Sequence, residues 1–295
     1  MLDLSHIPNS QQDINIFYSN GITNSWQTWT KPRKCQWVWI MAIGGGASGT
    51  GGAGPAGAFF SPGGGSGAQT RALFNASHLP DTLYIQVGLG GQSVAGGSGG
   101  SAGTTGLSGS RSYVSILPNI TVTNLVCISG AIAAIGNVAG SSANGETATT
   151  AASANFLTLA NFISTSGGTS VGLSLSQPVN LTPSVITSPG AGGAGWVSPS
   201  TVYNGASILS SSISPLIVGG TANPGTSGGD GAHGVTSWKP FYSTGGAGGA
   251  SSFNSTGGKG GNGGIGSGGG GGGAGPSGGG SSGKGGDGIV FIICF

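Results

Sequence analysis

Residues 257–288 read GGKGGNGGIGSGGGGGGAGPSGGGSSGKGGDG, and 21 of these 32 positions are glycine. One glycine phase recurs every third residue through Gly257, Gly260, Gly263, Gly266, Gly269, Gly272, Gly275 and Gly278. A backbone that repeats every three residues is the polyproline II helix, which rises about 3.1 Å per residue and makes no internal hydrogen bonds. Its N–H and C=O groups must bond to water or to neighbours, and neighbouring backbones can come that close only where no Cβ stands between them. The stretch therefore predicts a bundle of glycine-lined polyglycine II helices bonded side by side. Laid straight, 257–278 would span about 65 Å, against a diameter of about 50 Å for a compact chain of this length. The array must fold back or protrude, and Ala274–Ser277 and Ser281–Ser282 are its natural reversal points. Collagen is excluded, because the positions between glycines lack the proline a triple helix needs.

Glycine and proline, 67 and 14 residues of 295, bring the composition near the roughly 25–30% that marks low complexity. Six Trp, ten Phe and a charged fraction of only 5% point the other way, since disordered chains are charge-rich and poor in aromatics. Apolar runs supply the lateral support a glycine bundle needs. Gln36–Ile43 and Ile289–Phe295 are apolar on both alternating faces, the mark of strands covered on two sides. They are expected to pair, joining the two ends of the chain. Leu83–Val87 alternates as a half-buried strand, and Ser112–Leu117 and Asn124–Ser129 add two more. Helical spacing of Phe156, Leu159, Ala160 and Ile163 predicts one helix over Thr149–Ile163.

The fold class is thus mainly β: β-sandwich-like strands supporting a bundle of polyglycine II helices, with at most one short helix. Four segments follow from composition. Residues 1–25 form an irregular arm, 26–130 strands with glycine-rich excursions, 131–242 a Ser/Thr/Pro-rich insert, and 243–295 the terminal array with its closing strand.

The residues give little for catalysis. GGKGG at 257–261 and SGKGG at 282–286 lack the Ser or Thr that a Walker A lysine precedes. SGKGGD, ending at Asp287, meets a calcium repeat once and incompletely, and Asp287 reads as a solvated turn residue. Asp230 and His233 lie close in GGDGAHG, and serines are plentiful, yet no G-x-S-x-G elbow follows a strand into a helix, and the six carboxylates are scattered. The chain is read as no enzyme, with no cofactor and no metal. A net charge of +2, with Lys31, Arg33 and Lys34 the one basic run among tryptophans, is too little for a phosphate-tracking groove, so no nucleic acid is expected. Cys35, Cys127 and Cys294 are odd in number and far apart, giving neither a disulfide framework nor a zinc spacing. Apolar runs of seven residues are too short to cross a membrane. No Lys or Arg precedes Lys31, so a secretory signal is not read and the product is expected to be made in the cytoplasm.

WTKPRKCQWVWIMAIGGGASGTGG at 29–52, LPDTLYIQVGLGGQSVAGGSGG at 79–100 with GSRSYVSI at 109–116, and SGKGGDGIVFIICF at 282–295 together resemble the glycine-rich domain of bacteriophage tail and virion proteins. That group includes tail-fibre tip adhesins, and the resemblance covers about residues 26–130 and 243–295. It implies a polyglycine II sandwich with receptor-binding loops at one end. It also implies a virion location, other virion proteins as partners, a host-surface receptor or glycan as ligand, and a homo-oligomer, with a trimer suggested by analogy to spikes and fibres. The aromatic insertions Trp196, Tyr203, Trp238, Phe241 and Tyr242 are the expected binding residues, because aromatics offer large contact area at low entropic cost. The same rings could instead plug the ends of the bundle. The competing functions are ice binding by a flat polyglycine II array and passive capsid decoration or assembly.

Overall fold

The computed structural model describes residues 13–54, 61–98, 100–129, 186–194, 201–211, 213–223 and 226–295, together with the backbone of 158–165. Eleven strands are named: β1 (Asp13–Tyr18), β2 (Gln27–Thr30), β3 (Trp37–Ile43), β4 (Gln69–Asn75), β5 (Thr82–Gln86), β6 (Tyr113–Ser115), β7 (Leu125–Ile128), β8 (Thr158–Thr165), β9 (Thr236–Trp238), β10 (Phe241–Ser243) and β11 (Ile289–Cys294). They form an antiparallel sheet in the order β1-β11-β3-β4-β8, a second in the order β2-β5-β6-β7, and the hairpin β9–β10. The two large sheets enclose the main core. Val38, Ile40, Ala42, Phe74, Val290 and Ile292 from the first pack with Trp29, Leu83, Ile85, Val114 and Val126 from the second.

The expected pairing of the two ends is present: Ile43 faces Ile289 and Val38 faces Cys294 across an antiparallel ladder. Both strands are apolar on two faces for a reason now visible. Met41, Ile43, Ile289 and Phe291 form a separate cluster on the far side of the sheet, where Ile186, Phe241 and Ile265 cover them.

Three readings of the strands and cysteines need correction. The helix expected over Thr149–Ile163 is absent where it can be judged: 158–165 is β8, bonded to β4. Residues 149–157 lie outside the described set. The free edge of β4 offers that segment a ladder of backbone bonds, and such tertiary context overrides helical spacing. The N-terminal arm is partly strand as well, since β1 adds to the outside of β11. Cys35 and Cys294 are joined in a disulfide across 259 residues of sequence, because the β3–β11 pairing brings their backbones together.

Cys127 is the free cysteine, wholly buried, and burial pushes its thiol up to about 12. Iodoacetamide at pH 8 should therefore leave the cysteines of the folded, oxidised protein unlabelled and modify a single cysteine once the chain is unfolded without reductant. Mass spectrometry reads the count.

The glycine tracts carry no ladder of their own, yet their hydrogen bonding is regular. In 44–54, Gly44, Ala47 and Thr50 donate to Ala68, Gly65 and Pro62; Gly45, Ser48 and Gly51 donate to Ser110, Leu107 and Thr104; Gly46, Gly49 and Gly52 donate to Gly286, Gly283 and Gly280. Each third residue thus addresses the same neighbour, and the three phases address three different antiparallel threads. The terminal array keeps the same three-residue period, here toward parallel threads. Gly257, Gly260 and Gly263 donate to Gly278, Ser281 and Lys284, whereas Gly269, Gly272 and Gly275 donate to Ala47, Thr50 and Ala53. The array does not run straight. It reverses at Ile265–Gly266, where Gly266 has φ +65, and at Pro276–Ser277. Ser281–Ser282 is no reversal point, for Gly280, Ser282, Gly283 and Gly285 bond in steady alternation to two neighbouring threads.

Thread 267–275 is surrounded. It donates to 188–194, 47–53 and 258–261, and accepts from 280–286, 246–252 and Gly64. At Gly270, midway along it, these neighbours leave no volume for a side chain: a Cβ placed there would overlap the Ala247 carbonyl oxygen. Elsewhere alanine methyls are admitted, and Ala191, Ala206 and Ala247 form a small core with Ile208 and Ile217. The lattice sits on one end of the sandwich, because β3 and β5 lead into it and threads 61–68, 101–112 and 278–288 lead out of it into β4, β6 and β11.

Candidate functional site

At the margin of the lattice, Gly231 N and Gly234 N donate to the carbonyls of Lys259 and Asn262, and the N–H groups facing the same way need acceptors in turn. On thread 257–265, every third one is met by a side chain of 230–236: Lys259 N donates to Asp230 Oδ1 (2.7 Å), Asn262 N to His233 Nδ1 (2.9 Å) and Ile265 N to Thr236 Oγ1 (3.1 Å). The pattern continues outward, with Lys284 N donating to Asn262 Oδ1 and Gly90 N to Asp287 Oδ1. Asp230 and His233 are thus engaged as backbone acceptors at the lattice margin, with the His233 proton left on Nε2. Asp287 is not a solvated turn residue; it caps a neighbouring thread and its Oδ1 lies 3.3 Å from Lys284 Nζ. Sequence reading missed this ladder. Its signal was the three-residue spacing of Asp230, His233 and Thr236, in step with the glycines.

The same ladder ends in the hairpin. Thr236 opens β9, its Oγ1 3.0 Å from Ser243 Oγ on β10, and Ser243 is tied into the lattice through Ile186 and Ser188. The two-residue turn Lys239–Pro240 sets Trp238 opposite Phe241. Their ring centroids are 5.4 Å apart, and Phe241 meets Phe291 edge-on at 5.3 Å. Phe241 is therefore an anchor, pressed onto the far face of the first sheet. Trp238 stands outward, 45% exposed, with Tyr18 from β1 edge-on at 6.1 Å. Tyr18 is itself 50% exposed.

Of the five aromatics expected at a binding site, the structure brings Trp238 and Phe241 together. Tyr242 is half-buried and alternates to the other face of β10. Tyr203 sits elsewhere, its carbonyl accepting from Ser251 N and its N–H donating to Ser251 Oγ, and Trp196 lies outside the described residues. Tyr18 was not foreseen, although Ile14, Ile16 and Tyr18 alternate with Asn15 and Phe17 in a way that marks a strand.

Beside this cluster an open groove of about 410 Å³ runs along the lattice margin, lined by Tyr18, Thr236, Asn262, Lys284 and Asp287 and by the glycine backbone of 263–264 and 285–288. Among the described residues no group of His, Cys, Asp and Glu is placed to hold a metal ion, and no helix is long and apolar enough to cross a membrane.

A β-sandwich whose loops are replaced by a hydrogen-bonded glycine lattice defines a glycine-rich structural domain. The model of the glycine-rich domain family matches residues 22–294, and the chain belongs to that family. A search of curated proteins finds no match.

Proposed function

We propose that this chain is a non-enzymatic structural protein of a virus particle, set at a tail, spike or capsid surface, and that it attaches the particle to its host. The observation that carries this reading is the aromatic hairpin. A large ring nearly half in solvent, held by Phe241, Phe291 and Tyr18 on a base bonded into the lattice, is a pre-organised contact, and rigid aromatics bind with little entropy left to lose. The Cys35–Cys294 bridge fits a protein that works outside the reducing cell. The sequence resemblance to phage tail-tip adhesins supplies the particle. Other virion proteins and further copies of the chain, with a trimer by analogy, are its proposed partners.

The test is cell binding by the purified protein across a panel of bacterial strains. A folded Trp238→Ala, Tyr242→Ala double variant should bind at least tenfold more weakly. Unchanged binding would remove the hairpin from the site. Ice binding is supported by one feature: thread 101–110 exposes Ser101, Thr104, Ser108 and Ser110 while Gly103, Gly106 and Gly109 face inward. Thermal hysteresis separates the two readings.

A further inference from the structure

We infer that the groove between Tyr18 and the lattice margin is a binding site for neutral glycans, an inference that rests on the attachment reading and gives its ligand a chemical class. The groove is open and shallow rather than a closed pocket, yet its volume of about 410 Å³ falls in the roughly 300–1,000 Å³ range of small-ligand sites. One wall carries an aromatic ring, and a second ring stands next to it outside the groove. Tyr18 lines the groove, and Trp238, edge-on to Tyr18, lies on the same face of β9 as the lining residue Thr236. Flat rings exposed to this extent match the apolar C–H faces of a pyranose.

The other wall offers hydrogen bonds of both senses at fixed positions. Asn262 gives Oδ1 to Lys284 N, which leaves the two N–H donors of Nδ2 for a ligand; Asp287 gives Oδ1 to Gly90 N, which leaves Oδ2 as an acceptor. Both side chains are held by backbone bonds into the lattice, so little ordering remains to be done on binding. Polyhydroxyl ligands suit such alternating donors and acceptors. The groove's two charges are already paired, Lys284 Nζ with Asp287 Oδ1 at 3.3 Å, so an anionic head group would meet no uncommitted cation there. That balance selects neutral sugars over phosphates and sulfated chains.

The test uses the full oxidised chain on an array of immobilised hexose and N-acetylhexosamine oligosaccharides, with acidic glycans alongside, followed by tryptophan-fluorescence titration of the soluble form of any glycan bound. Binding to neutral members is expected, weakened at least tenfold in Trp238→Ala and in Tyr18→Ala. The Tyr18 and Trp238 rings stand about half in solvent, so their loss leaves the lattice bonds intact, and melting temperature confirms that each variant is folded. Binding to no glycan, binding to acidic glycans alone, or equal binding by both folded variants would overturn the inference. The two readings fail separately: a protein that holds cells but no sugar keeps attachment and loses the glycan, and one that holds sugar but no cell does the reverse.

Discussion

Gly270→Ala should cost about 3 kcal/mol or more, at or above the top of the usual range for overpacking, and lower the melting temperature by about 6–12 °C for a chain of this size. Its Cβ would overlap the Ala247 carbonyl oxygen, and backbone cannot turn aside as a side chain can. Moving that carbonyl disturbs two more bonds, because Ala247 O also accepts from Gly261 N, and Gly261 O accepts from Gly270 N. Ser108→Ala, on an exposed phase of thread 101–110, should change stability by no more than about 0.5 kcal/mol. Calorimetry of the pair measures the difference, and amide exchange locates it: protection of the amides of 257–288 should fall in the first variant and stay unchanged in the second. Equal melting temperatures would mean that the threads are loose enough to admit a methyl group.

Much of this was legible because glycine period and hydrogen-bond period coincide. The phase through Gly257, Gly260 and Gly263 reappears as donors to one neighbour, and that through Gly269, Gly272 and Gly275 as donors to another. The pairing of β3 with β11 was legible because only a strand covered on both sides needs Trp37, Trp39, Met41 and Ile43 opposite Val38, Ile40 and Ala42. Thread order was not legible. Glycine carries no side chain to say which neighbour it meets, so 44–54 could have bonded to any tract of the same period. Thr158–Thr165 misled because its apolar residues fit a helical face, while the energy of forming it comes from the edge of β4. At the candidate site, Trp238 and Phe241 announced themselves by size, but their partner Tyr18 lies some 220 residues earlier in the sequence and is joined to them only through β1 and β11.

The Cys35–Cys294 bridge follows from the same pairing: Val38 stands opposite Cys294, and the chain turns back just before it, so Cys35 reaches the end of β11. Its removal should have the largest effect of any change considered. A loop of 259 residues encloses every named strand except β1 and β2, and the chain-entropy relation assigns such a cross-link about 5.5 kcal/mol. The bonds beside it, from Gln36 N and Trp37 N to Phe295 O and from Phe295 N to Trp37 O, persist only while the strands are paired. They cannot restrain the unfolded chain. The lattice depends on that restraint more than an ordinary core does, since its bonds join tracts as distant as Gly46 and Gly286, and each needs the ends brought together first. The Cys35→Ser, Cys294→Ser double variant should therefore melt about 10–20 °C below the oxidised protein and refold more slowly after dilution from denaturant. Oxidised protein given a reductant should match the double variant in both respects. Melting within about 2 °C of the oxidised form would show that sheet and lattice together hold the ends without the bond, and would also remove the bridge as support for a life outside the cell.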